Sequence, residues 1–467
     1  MYRKEIDAYL DSHTSQMVED IFTLCRINSE RMPKEEGMPY GKGAKEALDA
    51  ALKMAEGYGF QVRNYDNYVG TADLNDKETQ LDILAHLDVV PAGEGWQVTG
   101  PFEPVERDGR LYGRGTADDK GPAVAALYAM RAVKELGIPL KKNVRLIVGT
   151  DEECGSSDIA HYYKIEKEAP MTFSPDAEFP VINVEKGGLA AHFTGSFEKS
   201  CHKARLVSLD AGIKINVVPA KAFAAVEGLS METLEETAEA AAKETGISFS
   251  FVEEGSLIKI TAQGVNAHAA HPEGGNNALT GLLSYVCMLP LGDCAQIKRL
   301  KGLMELIPHG DLYGTAMGIA MEDEISGKLT LAFSMLNVTE DHLEGHFDSR
   351  CPICSTNDNV LAVVKEKFLS IGLTLHNDSM KPPHHVDGNG VFVQTLLKAY
   401  EDHTGRKGQC LYTGGGTYVH ELKNGVAFGA AMPGTDNHMH GADEFAVLEE
   451  LLVSAKIFAQ VIVDLCS

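Results

Sequence analysis

The sequence predicts an α/β fold in which a mostly parallel sheet carries helices on both faces and a second, α+β domain is inserted into the first. Three observations lead there. Leu81–His86 (LDILAH) and Val144–Thr150 (VRLIVGT) are apolar runs without polar alternation, the pattern of strands buried on both faces. Between them, Lys120–Leu136 has helical spacing and opens on a Gly-Pro pair. From about residue 186 to 384 the texture changes to shorter, alternating pieces such as Leu257–Ala262 and Leu329–Phe333.

Strand, helix and strand in that order make a parallel pair covered by a helix. Val426–Met432 (VAFGAAM) supplies a further buried strand and Ala446–Cys466 a closing helix. The middle contains an internal echo: AFAAVEG, METLEETAEAAAKETG and ISFSF read as strand, helix, strand, and so do EGHFDSRCPI, NDNVLAVVKEKFLSIG and LTLHN. Two related halves therefore fill the insertion. The expected boundaries are 1–185 and 385–467 for the divided domain and 186–384 for the inserted one.

The chain has 467 residues, with 42 Lys+Arg against 67 Asp+Glu, a formal charge of −25. Such a balance excludes a nucleic-acid-binding protein, which needs a basic face. No stretch approaches about 18 uninterrupted apolar residues, so no membrane span is expected. The opening MYRKEIDAYLDSH lacks the apolar core of a signal peptide. Nine cysteines at irregular spacing do not form a disulfide framework, and Cys351-Pro-Ile-Cys354 without a second pair reads as two free thiols. A reducing cytoplasm is the expected location.

Candidate chemistry gathers at strand ends, where ligands bind in open α/β sheets. Alternation past Leu81–His86 puts His86 and Asp88 on one side, suiting a metal-bound imidazole with an orienting carboxylate, or a plain surface loop. In Gly113–Gly121 (GRGTADDKG), Asp118 and Asp119 either stabilise a helix N-terminus or include one acid bridging two metals. Asp151-Glu152-Glu153-Cys154 crowds three acids that repel one another unless cations neutralise them. One Glu on a metal and its neighbour as general base would use that arrangement; a solvated turn is the other reading. Asp176 is an isolated acid in a turn, and His438 and His440 stand at spacing two near the C-terminus. Imidazole and carboxylate together fit Zn²⁺, Mn²⁺ or Co²⁺. One shared acid would make a two-metal centre with ions about 3.5–4 Å apart.

HLDVVPAG, GRGTADDKG, TDEECG, SPDAEFP, GVNAHAAHPEGGNNA and MHGADE occur in the order found in metallopeptidases of the ArgE/DapE/aminoacylase type. With the long insertion and GGGTYVHELKNGVAFG, the chain most resembles their PepV/Sapep dipeptidase branch. The resemblance implies a zinc-peptidase-like catalytic domain with the insertion as its lid. It implies that His86 and Asp176 hold one divalent ion, Glu153 and His440 the other, and that Asp118 bridges them, followed by a cis peptide. Glu152 would be the general base and Asp88 would orient His86. His268, which alone reads as a loop histidine, would face the tetrahedral oxyanion. Asn216 and Arg350 match lid positions, Arg350 suiting a substrate carboxylate by its fork, and Gly415, Gly416 and Thr417 would offer N–H groups to the same carboxylate.

The implied cofactors are two Zn or Mn ions, Co being a further candidate. The implied partner is a small peptide, with no nucleic acid and no membrane, and the doubled insertion would let a monomer supply what a dimer partner supplies in relatives. Val419 and His420 depart from the small residue and Arg expected there. The rival activities are removal of an acyl or succinyl group from an amino acid and, beyond enzymes, metal binding without catalysis.

Overall fold

The computed structural model describes residues 2–467. It contains two compact units. Residues up to Val184, His385–Tyr412 and Gly416–Ser467 build the first; Glu185–His384 with Thr413–Gly415 build the second.

In the first unit the sheet runs Gln61–Tyr65, Val69–Asp73, Asn143–Gly149, Thr79–His86, Met171–Ser174, Gly425–Ala427, Val181–Glu185. The expectation of a mostly parallel sheet needs correcting. Only the four strands from Asn143–Gly149 to Gly425–Ala427 are parallel, and both flanks are antiparallel. The reason at one flank is local: Asp66 and Asn67 take φ of 54° and 61°, a tight reversal with two left-handed residues that only an antiparallel hairpin accepts.

The parallel strands are buried on both faces. Leu81, Ile83 and Ala85 face a thick helical layer that includes Lys120–Glu135, Leu448–Cys466 and Val391–Thr404. Leu84 and Ile147 face a thinner layer with Ile159, Tyr162, Tyr418 and Val419. Helix Lys120–Glu135 is buried on every side from Lys120 to Val133, as an all-round apolar helix must be. The run Val426–Met432 is two strands rather than one. Gly429, at φ 80°, turns the chain against the Phe179 ring, where a Cβ would meet Cζ at 2.4 Å; Ala430–Ala431 then pairs with Ala177–Glu178.

The second unit is an eight-stranded antiparallel sheet, ordered Ser248–Glu254, Leu257–Gln263, Lys221–Glu227, Arg205–Ala211, Thr330–Val338, His342–Cys351, Gly187–Ser196, Thr374–Leu375. Leu189, Ala191, Phe193 and Phe347 point into one core with side chains of four helices: Met231–Thr245, Ala278–Met288, Ala295–Leu306 and Ala362–Ser370. Alternation sends His192, Thr194, Glu344 and His346 to the opposite face. Among the described residues no helix is long and apolar enough to cross a membrane.

Candidate metal centre

Three parallel strands of the first unit deliver acids and a histidine to their carboxyl ends. Thr79–His86 ends on His86, Asn143–Gly149 leads to a 3₁₀ turn at Glu152–Cys154, and Met171–Ser174 leads to Asp176. The Asp118-Asp119 peptide, which is cis, precedes helix Lys120–Glu135, and the loop before Leu448–Cys466 brings His440.

These side chains converge. His86 Nε2 lies 2.9 Å from Asp118 Oδ1 and 3.6 Å from Asp176 Oδ2. His440 Nε2 lies 2.9 Å from Asp118 Oδ2 and 3.4 Å from Glu153 Oε1. Asp118 thus presents one oxygen to each imidazole. Candidate donor atoms of His86, Asp118 and Glu153, and of His86, Glu152 and Asp176, each lie within 4.8 Å of one another. Despite these approaches, His86 Nε2 and Glu153 Oε1 are buried without a hydrogen-bond partner. Crowded carboxylates in a dry site raise one another's pKa. Burial, then the Asp176 charge, holds Glu152 well above the carboxylate range; burial, then Asp118, pushes Asp176 to about 6.

A frame of buried groups holds this cluster from behind. His86 Nδ1 is 3.0 Å from the Asp88 carbonyl oxygen. The Asp88 carboxylate, 3.5 Å from the same nitrogen, accepts the backbone N–H groups of Glu152 and Glu153 at 3.1 Å each. Asp88 therefore orients the turn of acids as much as the histidine. Asp119 accepts the His86 N–H at 3.0 Å, and Lys120 donates to the Leu24 and Ile27 carbonyls. Asp151 pairs with Arg31 and accepts from Ser157. His438 packs edge-on against Phe445, its ring centroid 5.6 Å away.

Glu444, four residues after His440, is the central clamp. Its Oε1 accepts the N–H groups of Gly115 and Ala117 at 3.0 Å and of Asp118 at 3.3 Å, while Oε2 accepts from Arg114 Nη1 at 2.5 Å. Asp158 plays a like part under the acidic turn, accepting from Thr150 and Asp151 N–H and from the Tyr418 hydroxyl. Glu at His+4 and Arg in GRG were the available signals; nothing in the sequence joins them.

The remaining predicted residues fall on other elements. In the second unit, Val217 pairs with His268 on a two-stranded ribbon, and the Asn216 carbonyl accepts the Ala269 N–H at 2.9 Å. Arg350 donates through Nε and Nη2 to Asp348, at 3.1 and 2.6 Å, and through Nη1 to the Gly414 carbonyl at 2.7 Å. Gly415 belongs to that unit, its N–H on Thr413 Oγ1 at 3.0 Å. Gly416 and Thr417 belong to the first, where Thr417 caps a 3₁₀ turn holding the buried His420.

An α/β sheet whose strand ends and a neighbouring loop gather two histidines around one shared carboxylate fits the class of metal-dependent hydrolases. The chain belongs to the peptidase family M20/M25/M40, whose family model matches residues 83–464, and it is a metallopeptidase. It is 36% identical over 469 residues to a putative dipeptidase, YtjP, of Bacillus subtilis, covering 96% of this chain and 97% of the relative. It is also 36% identical to the Beta-Ala-Xaa dipeptidase of Lactobacillus delbrueckii subsp. lactis, covering 96% of each. Among solved structures, human carnosine dipeptidase 1 shares the fold with a TM-score of 0.62 at 15% identity, over 100% of this chain and 99% of that one.

Proposed function

We propose that the chain is a metal-dependent dipeptidase that hydrolyses the peptide bond of small unblocked dipeptides. The observation that carries this reading is the placement of two imidazoles on the two oxygens of Asp118 with Glu152, Glu153 and Asp176 around them. The donor set fits two divalent ions of the Zn or Mn class, or Co: mixed imidazole and carboxylate suits them, and two buried donors, His86 Nε2 and Glu153 Oε1, have no other partner. His86 and Asp176 would hold one, Glu153 and His440 the other, with Asp118 common to both. Bound there, the ions supply Lewis-acid activation of the attacking water and of the scissile carbonyl.

Glu152 takes the proton of the attacking water on its carboxylate and returns it to the departing amine. Asp88 fixes His86 through its carbonyl and the two glutamates through its carboxylate. On the family pattern we assign oxyanion stabilisation to His268, with Asn216 next to its strand partner Val217. The substrate carboxylate is assigned to Arg350, Gly415, Gly416 and Thr417; Arg350 uses three of its five donors internally. The inserted residues 186–384 act as the lid on a catalytic domain of 1–185 and 385–467. Its two-halves reading is supported by strand order: Leu257–Gln263 separates the two strands of the first echo, and Gly187–Ser196 those of the second. Nine free thiols support a cytoplasmic setting, and a monomer is the expected active species.

The test is amine release from a dipeptide panel beside N-acetyl and N-succinyl amino acids, with Mn²⁺ or Zn²⁺ and after EDTA. Turnover of dipeptides that EDTA abolishes and added metal restores is expected. Turnover of the acylated amino acids alone would replace the reading with a deacylase.

A further inference from the structure

The second unit carries a group of side chains that hydrolysis does not use. On the helix-free face of its sheet, His192 of Gly187–Ser196 stands directly opposite His346 of His342–Cys351. Their rings stack with centroids 4.6 Å apart and planes within 7°. Both rings turn the same nitrogen toward one carboxylate. His192 Nε2 is 2.7 Å from Glu344 Oε1, and His346 Nε2 is 4.0 Å from that same oxygen.

We propose that His192, Glu344 and His346 form a third divalent-metal site, taking a zinc-class ion, on the solvent face of this sheet. Their three candidate donor atoms lie within 4.8 Å of one another. A tetrahedral ion with bonds of about 2.0–2.2 Å needs donors about 3.4 Å apart. The shorter contact would open and the longer one close, each by less than an ångström, and the two nearly parallel rings would tilt toward a common point. Two imidazoles and one carboxylate are also the ligand set of open zinc sites, the fourth position falling to water. An ion pair alone accounts for the arrangement poorly: Glu344 satisfies His192 and leaves the second ring aimed at the same oxygen from beyond hydrogen-bond reach. Because the ligands come from adjacent strands, the ion would clip Gly187–Ser196 to His342–Cys351 near the sheet edge formed by Thr374–Leu375. His376, whose ring centroid is 4.8 Å from that of His192, is held by Thr194 at 2.7 Å and lies outside the ligand set.

Total metal per chain is read by elemental analysis after dialysis of the full-length protein against low-micromolar ZnCl₂. The parent is expected to hold one equivalent more than His192→Ala/His346→Ala, while His376→Ala matches the parent. Outer-shell losses alone cost about 10–100-fold in metal affinity, so Glu344→Gln should weaken the third equivalent at least about tenfold, which keeps the test open if the double variant does not fold. Hydrolysis under saturating metal should be the same in all of them. Equal metal content in parent, double variant and Glu344→Gln, or equal loss in His376→Ala, overturns the site. The count is independent of whether any dipeptide is turned over.

Discussion

Two clusters of histidine and carboxylate in this molecule use similar ligands in opposite settings. In the first unit His86 is 0% and Asp118 5% exposed, and His86, Asp118, Glu152 and Glu153 are braced from behind by Asp88, Asp119 and Glu444, His440 alone standing half-exposed on its loop. On the second unit's sheet the His192 and Glu344 side chains are 39% and 49% exposed, and Glu344 is held only by His192. The comparison separates a preorganised centre, where folding has already covered the cost of bringing like charges together, from one that an ion would have to assemble. Chemistry is placed in the first because its geometry does not depend on what binds.

The largest expected effect distinguishes reaction from framework. Glu152→Ala should lower kcat by about 10²–10⁴-fold while bound metal stays equal to the parent, checked by steady-state kinetics beside elemental analysis. Next is the frame itself. Glu444→Ala removes the acceptor of three loop N–H groups and strands the buried Arg114 charge. Breaking such a pair costs about 3–5 kcal/mol, so a lower urea midpoint and weaker metal retention are expected; a variant as stable as the parent would dissolve the contrast between the two clusters.

Asp88→Ala should be milder. It keeps the carbonyl on His86 and loses only the carboxylate under Glu152 and Glu153, a second-layer loss of about 10–100-fold in metal affinity or activity, read by competition with a chelator.

The smallest effect concerns the sheet beneath the centre. Asp82 is 1% exposed, and burial pushes its carboxyl up to about 7 despite Arg145 and the Ala169 N–H, with Asp73 and Glu166 adding to the rise. A carboxyl raised on folding binds its proton more tightly in the native state. Its protonated form is therefore favoured at low pH, and stability is lost as pH climbs from about 4 toward 7. Asp82→Asn keeps an acceptor for Ala169 and cannot ionise. Its melting temperature relative to the parent should rise between pH 5 and pH 8, by roughly 1–2 °C for each kcal/mol relieved.

The parallel heart of the first sheet was legible because strands buried on both faces are continuous apolar runs, as in LDILAH and VRLIVGT. Its antiparallel flank was not: Gln61–Tyr65 is mostly exposed and polar, and its identity as a strand rests on a turn at Asp66-Asn67. Acids and histidines at strand ends were readable as a candidate centre, but choosing Asp118 over Asp119 and His440 over His438 needed the family pattern. What sequence could not supply were pairings over long separation. Arg114 and Glu444 meet across 330 positions, and His192 meets Glu344 across 152, the latter fixed only by strand register.

The central claim is that His86, Asp118, Glu153, Asp176 and His440 hold two ions beside Glu152. Anomalous diffraction at the metal edge, from crystals of enzyme that turns over a dipeptide, addresses it most directly. Two peaks about 3.5–4 Å apart, with Asp118 between them and Glu152 outside the ligand set, are predicted. A single peak in fully active crystals, or two peaks that do not share Asp118, would contradict it.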